Sequence, residues 1–546
     1  MPRRSLKQSS FFDPEFVCPS CLEEGTVPWL LARFRSKLFP EWLFKGWRGE
    51  GRRGRKAWPP EVLMTLILLR FGGEEISRRG SCRRARTDAK WRAAMGLNFD
   101  VAPPDEKTVR NFEKFLRGRH SEAGARRIVL FHEHVVRLCK SAQILEDNAI
   151  WVTDSTPMWC YGAVKDTVEL LAEGMARVAR QWAEGTRQPV DKMAAKWGLD
   201  WMSAPSIKGA FEIDWKQADQ RSALITRLGE KAVEMVEEVR VRLQEVRRGK
   251  RKKLLKLCRR LMQVVEQDLE ADEEGGFQIV EGVAEDRLIS LTDPQARHGR
   301  KSDARRFNGF KLHVLGDAVS GLIVSLAVTP GNVHDGQPAS RLIRRAKSLC
   351  ESMNVLLGDT AYGAAQLREE VEKRCGVRIV APPAAVAETQ GLGKGSFEVD
   401  IEAGKAWCPN GILSEEMAFV RYGTAGRKGP RFLWPEEVCK QCPLSEQCKA
   451  RKKRGNSRMV FHPNEQTLRD IRAEWEQPEI REMYRQRSQG ERLINESVRR
   501  GAREAMAWGV GSAELQAYAI ALHNNLSLLA EALARDETPA IFASAA

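Results

Sequence analysis

The sequence predicts an α/β protein built on a mixed sheet, and three observations carry the prediction. Two extended apolar runs close on an acid: 149–153 leads to Asp154, and 355–358 leads to Asp359. Two runs that alternate apolar and polar side chains, 310–315 and 322–328, flank the Gly-bounded turn 316–321, the pattern of an antiparallel hairpin. Helical stretches at about 336–350 and 364–374 enclose the second acid-tipped run and lead to a last strand at 377–380. Strand, hairpin, helix, strand, helix, strand is the order of the ribonuclease H-like fold. Its closing helix is then the one that carries Glu491.

A chain of 546 residues is too long for one core and divides into about three or four units. Residues 1–145 read as an N-terminal helical DNA-binding domain. Its first 57 residues are basic and broken by Gly and Pro; after Pro59 and Pro60, the positions Val62, Leu63, Leu66, Ile67 and Arg70 have amphipathic helical spacing. Residues 103–115 open on turn formers and set Lys107, Arg110 and Lys114 around a short helix. That helix either enters a major groove or covers a helical core with a solvated charged face. Residues 146–160, 281–381 and 471–535 make the ribonuclease H-like core, interrupted by a helical insertion, 161–280, and a cysteine-rich insertion, 382–470. In the helical insertion Val236, Val239, Leu243 and Val246 form one apolar seam and Leu254, Leu257, Leu261 and Val264 another. Residues 249–253 are therefore expected as the basic turn of a helical hairpin, where exposed charge is commoner than contact with DNA.

The formal net charge of +16 favours polyanionic partners, because Lys and Arg that neutralise phosphates release condensed counterions. Charge alone does not establish binding, since many basic proteins have no nucleic-acid partner. No run of about 18 apolar residues suggests a membrane span, and no secretory leader is read at the N-terminus, so a cytoplasmic location is expected. Twelve cysteines in a reducing compartment point to metal sites where they cluster and to buried small hydrophobes where they do not.

The acids carry the chemistry. An extended run closing on a carboxylate places it at the mouth of a sheet, where substrates and metal ions are held. Steps of three and four residues put Tyr484, Arg487 and Glu491 on one helix face, so an aromatic, a base and an acid address one site. Three carboxylates suit Mg²⁺, or Mn²⁺, which prefers hard oxygen ligands. Two such ions about 4 Å apart activate a nucleophile and steady the leaving oxygen of a phosphodiester. Asp154 is expected to bridge both ions, with Asp359 and Glu491 each completing one. Asp335, preceded by His334, and Asp317 lie at hairpin ends and are rivals for a place in the triad; otherwise they cap turns. In the second insertion Cys408, Cys439, Cys442 and Cys448 match the number of thiolates in a closed zinc site, against the alternative of four unrelated thiols. The basic run 449–454 follows directly and is read as a strip along a DNA backbone. Cys18 and Cys21 supply two ligands and need help from elsewhere.

In combination these residues resemble the DDE-type transposases of bacterial insertion sequences, in the subgroup whose catalytic core is interrupted by a cysteine-bearing insert. Val152-Thr-Asp154 resembles the first catalytic strand of that family; Thr292-Asp-Pro, Asn308-Gly-Phe-Lys311 and Thr329-Pro-Gly-Asn-Val-His-Asp335 resemble its hairpin signatures. Gly358-Asp359-Thr-Ala-Tyr-Gly363 is similar to its second acidic motif, and Tyr484-x2-Arg487-x3-Glu491 to its third. The resemblance implies a DNA transposase that binds terminal inverted repeats, cleaves phosphodiester bonds and transfers the 3′-OH ends to target DNA, with double-stranded DNA as partner and a homodimer in the synaptic complex. Arg487 would neutralise a phosphate with Tyr484 beside it. Where the family carries Lys seven residues past the Glu this chain has Val498, followed by Arg499 and Arg500, which take over that phosphate contact or leave it lost. A nuclease on the same fold without strand transfer, and a non-catalytic DNA-binding descendant, are the alternatives.

Overall fold

Thirteen residues, Arg305–Asp317, make the longest strand among the described residues (β3), buried on both faces from Leu312 to Asp317. A strand covered on both sides must be central, and β3 is. The computed structural model describes residues 12–47, 57–72, 77–145, 149–273, 275–302, 304–383, 391–423, 426–453 and 456–535. On one side β3 pairs antiparallel with β1 (Trp151–Trp159); on the other it pairs first with β2 (Arg297–Ser302) and then with β4 (Ile323–Pro330). The change of partner falls at Gly309, whose φ of +149° and approach to the Met158 carbonyl, 2.3 Å from where a Cβ would stand, admit only glycine. Beyond β1 lie β5 (Val355–Leu357) and β6 (Arg378–Val380), both parallel to it, so the sheet runs β4-β3-β1-β5-β6. This mixed α/β sheet is consistent with a ribonuclease H-like DDE core.

The helices Ala339–Leu349 and Ala365–Cys375 make the parallel crossovers. The long helix Val510–Arg535 covers the opposite end of the sheet, and its fully buried Asn525 accepts from the Ile323 N–H and donates to the Ile323 carbonyl. That amide thereby satisfies a backbone pair on edge strand β4 that would otherwise be buried without partners. The N-terminal helices, among them Pro60–Arg70, Glu106–Arg117 and Arg127–Ser141, share one continuous apolar core with the sheet.

Two histidines sit in that shared core. Burial holds His132 and His523 down to about 3, and His523 Nδ1 lies 3.0 Å from the Leu68 carbonyl. Their folded pKa values lie below the unfolded value of about 6.5, so the unfolded chain takes up protons first as pH falls. Stability is therefore complete above that value and is lost progressively below it, by about 1.4 kcal/mol per pH unit for each histidine. Denaturant unfolding at pH 7, 6 and 5 should show that slope, and a flat profile would contradict it.

Helices Thr167–Thr186, Ala218–Val241 and Arg248–Asp268 have a separate apolar core containing Val236, Val239, Val246, Leu254, Leu261 and Val264. Both expected seams are thus buried, with Leu243 and Leu257 packed at the margin. The basic run is not the turn, however: residues 242–247 connect the helices, and 249–253 form the first turns of Arg248–Asp268. Arg251 donates to the Val246 and Gln244 carbonyls, and Lys250 pairs with Glu184. Half of the expected positive tip is therefore engaged within the fold, because a carbonyl-rich connection draws the guanidinium inward. Among the described residues no helix is long and apolar enough to cross a membrane.

Candidate active site

Val152 on β1 faces Leu357 on β5 in parallel register, and Asp154 and Asp359 each stand two residues beyond that pair. Adjacent strands lie about 4.8 Å apart, so the two carboxylates emerge side by side. Asp154 does not end its strand, contrary to expectation: β1 continues to Trp159, supported by β3, while its neighbour β5 stops at Leu357. The early end of β5 opens the sheet where Asp154 emerges.

Both acids are held by backbone donors. Asp154 Oδ1 accepts from the Ser155 N–H at 2.7 Å, and Asp359 Oδ1 accepts from the Ala361 N–H at 3.0 Å, capping the turn Thr360–Tyr362. Burial pushes both carboxyls above their ordinary values; Asp359 further raises Asp154, while Arg487 lowers both. Arg487 Nη2 stands 3.6 Å from Asp154 Oδ2. Tyr484, packed edge-on against Trp475 at 4.8 Å, is within electrostatic reach of both acids.

Asp335 also adjoins this pair, and its charge raises Asp359. It is already engaged: Oδ1 takes the Lys311 ammonium at 2.7 Å and Oδ2 accepts from Ser155 Oγ at 2.6 Å. Burial would raise its pKa, but hydrogen bonds from Lys311 and Ser155, then the Lys311 and His313 charges, outweigh it and hold the carboxyl low. Asp317 accepts from the Ile150 and Ser320 N–H groups and caps the β3–β4 turn. His334 Nδ1 accepts from the Gly336 N–H.

Tyr484, Arg487 and Glu491 do not share one continuous helix. Tyr484 belongs to Pro478–Arg485, the chain turns at Gln486 and Arg487, and Glu491 occupies the first turn of Ser488–Ser497. That second helix lies on β1 through Gly490, where an added Cβ would come 3.3 Å from Val152 Cβ, and buries Leu493, against Gly316 of β3, and Ile494. Glu491 is exposed beside this contact, whereas Arg487 is turned to Asp154. Among the described residues no three His, Cys, Asp or Glu side chains stand together as a ready-made metal group. Val498 packs against the core and starts a π-turn through Ala502. Arg499 is exposed and pairs with Glu496; Arg500 turns inward, half-buried, near His523. Lys107 and Lys114 are exposed on Glu106–Arg117, while Arg110 lines a cleft against residues 506–516.

The four cysteines of the second insertion line one cavity of about 40 Å³ with Phe397 and Trp434. Each is a free thiol, and two turns present three of them, one closed by the Gly411 N–H on the Cys408 carbonyl and one by the Cys442 N–H on the Cys439 carbonyl, while the Cys448 N–H donates to the Leu444 carbonyl. Cys18 and Cys21 are also free, with Cys21 Sγ directed at the Pro14 carbonyl. The basic run ends at Arg454, which lies outside the described residues.

Sequence patterning did not single out Lys311, Ser155 or Lys301 as site residues, yet Lys311 and Ser155 fix Asp335 and the Lys301 charge acts on Asp154. The signal for Lys311 is a cation in the alternating run 310–315, where it shares the polar positions with His313. Residues 282–505 match the family model described as Transposase DDE domain, and residues 27–114 match Transposase domain (DUF772). No curated protein and no solved structure matches. Asp359, Arg487 and Glu491 fall inside the first match; Asp154 lies outside both and joins the site through the pairing of β1 with β3 and β5. Together the two matches support placing the chain among the DDE transposases of insertion sequences.

Proposed function

We propose that the chain binds the ends of a DNA element, cleaves phosphodiester bonds there and joins the 3′-OH ends to target DNA, with Asp154, Asp359 and Glu491 as the acids. The observation that carries this reading is the pair Asp154 and Asp359 at one level on neighbouring parallel strands, faced by Arg487. Two half-buried carboxylates, Asp154 raised by burial and by Asp359, and Asp359 raised by burial and by Asp335, are hard-oxygen donors short of positive charge, which fits Mg²⁺ or Mn²⁺. Bound there, two divalent ions would lower the pKa of the attacking water or hydroxyl and neutralise the leaving oxygen. The protein's own groups position these ligands. Ser155 and Ala361 N–H groups fix the two aspartates, and Lys311 withdraws Asp335 from competition. Gly490 lets the Glu491 helix close on Val152, and Arg487 offers a guanidinium to the scissile phosphate. Incubation with a DNA end, a target plasmid and Mg²⁺ should yield joined product; cut ends without joining would make the protein a nuclease. Synapsis of two ends calls for a homodimer.

The cysteine insertion reads as a zinc-stapled module. Its core has only a few fully buried apolar side chains, Phe397, Phe432, Trp434 and Phe461 chief among them, and cores of that size need a staple. Cys408, Cys439, Cys442 and Cys448 line one cavity without standing as a ready-made metal group, so the four thiolates that a closed tetrahedral site takes would draw together as the ion binds. Purified protein should contain about one zinc per chain. The double change Cys439→Ser with Cys442→Ser should remove it and expose the 391–462 region to protease; unchanged metal content would end this reading.

A further inference from the structure

A cleft of about 480 Å³ lies between the helix Glu106–Arg117 and residues 506–516, away from the paired acids. Its walls carry Arg78, Arg110 and Arg117, against the single carboxylate of Glu113, which is already held by Arg70 and Arg78. Two large aromatics stand at its rim, Tyr161 at 59% and Trp508 at 57% exposure, with ring centroids 6.0 Å apart. Exposed aromatics on floppy segments are common, but these two are held. Buried Asp293 accepts from the Gly509 N–H at 3.0 Å, and Gln295 Oε1 accepts from the Val510 N–H, so the backbone beside Trp508 is pinned. Gly162, next to Tyr161, packs on the same Asp293, where an added Cβ would come within 2.7 Å of Asp293 Cβ. Arg117 is fixed too, donating to Ser512 Oγ at 2.7 Å. One buried acid therefore presents two rings over a basic cavity, and holding apolar ring faces exposed to water has no return in the free protein.

A basic cavity rimmed by two exposed rings, their planes tilted 56° to each other, suits a nucleotide whose base is free of its partner: the base stacks on one ring with the other at its edge, and the phosphate meets guanidinium groups. A fully paired duplex offers only its backbone. The cleft is also in reach of the acids. Trp159, at the end of β1, accepts and donates backbone hydrogen bonds with Ala505 and Arg503, just ahead of Trp508. Five residues of strand separate Trp159 from Asp154, about 16 Å at 3.3 Å per residue, or about five nucleotide steps.

We propose that this cleft receives an unpaired nucleotide of the DNA substrate, stacked on Trp508 and Tyr161 with its phosphate on Arg117 and Arg110. The proposal rests on the DNA-transposing reading but names a contact distinct from the acids. Its test compares, on the full chain, a blunt duplex with the same duplex ending in about six unpaired nucleotides, and a free deoxynucleotide monophosphate as a third probe. Wild-type protein should bind the tailed duplex about tenfold or more tightly than the blunt one, with Trp fluorescence quenched by the tail. The double variant Trp508→Ala with Tyr161→Ala should lose that preference while binding blunt duplex as before, and Trp508→Phe should restore most of it. Both rings are exposed, and an unchanged melting curve confirms that the variant is folded. Equal affinity of wild-type protein for the two duplexes, or equal loss on both in the variant, overturns the cleft assignment and leaves the transposase reading standing. Binding of neither duplex overturns both. Binding of the free monophosphate alone makes the cleft a nucleotide site and overturns its role toward DNA.

Discussion

Asp154→Asn is expected to lower Mg²⁺-dependent DNA cleavage by about 10³-fold or more while leaving DNA binding nearly unchanged. The amide keeps the shape of the carboxylate and can still accept from the Ser155 N–H, so the strand is undisturbed. What is lost is one negative charge facing Arg487 and beside Asp359. Loss of a group that merely orients a ligand costs roughly 10- to 100-fold, and a direct ligand should cost more. Asp335→Asn supplies the contrast. Its carboxylate already spends one oxygen on Lys311 and the other on Ser155, so a role in metal binding would require both contacts to open. Its replacement should reduce cleavage by roughly 10- to 100-fold, the range for a group acting through its neighbours. Gel assays of a labelled DNA end with both variants decide the order. If Asp154→Asn cuts at the wild-type rate, or if Asp335→Asn is the more damaging, the assignment of the acids fails.

The central sheet was legible because its signals are local. An apolar run ending on an acid and an alternating pair around a Gly-bounded turn can be read from a few residues, and β1, β3, β4 and β5 lie where those patterns put them. Less legible was what depends on neighbours in space. Nothing in 149–154 says that β1 outlasts β5 and runs to Trp159, because that extension is supported by β3, about 150 residues away. Tyr484, Arg487 and Glu491 do have helical spacing, but a break of two residues, both still in the right-handed helical region, leaves that pattern intact while dividing the segment into two helices. Asp293 shows the same limit. Its sequence setting suggested a hairpin signature, whereas its carboxylate reaches forward to Gly509 and anchors a loop that only the folded chain brings near. The cysteines were countable, yet that all four line one cavity depends on the pairing of strands Lys428–Trp434 and Asn456–Val460.

Glu113→Ala should be among the most destabilising single changes in the N-terminal helices, by about 3–5 kcal/mol. Glu113 lies inside helix Glu106–Arg117 with its side chain 9% exposed; Oε1 accepts from Arg70 Nη1 at 2.8 Å and Oε2 from Arg78 Nη2 at 2.7 Å. Arg70 is itself 6% exposed, and burial already pushes its pKa down against the pull of Glu113. Removing the carboxylate takes from the buried Arg70 guanidinium its counter-charge, and the cost is that of breaking a buried pair by removing one partner. The paired change Arg70→Met with Glu113→Leu separates this cause from lost packing. If the penalty comes from the stranded charge, the double variant recovers much of the stability lost by Glu113→Ala; if it comes from packing, the two losses add. Denaturant unfolding followed by tryptophan fluorescence measures both. Because the same carboxylate sets the angle of Arg78 at the mouth of the basic cleft, the single variant should also weaken DNA binding more than its stability loss explains, and the double variant should not restore that contact.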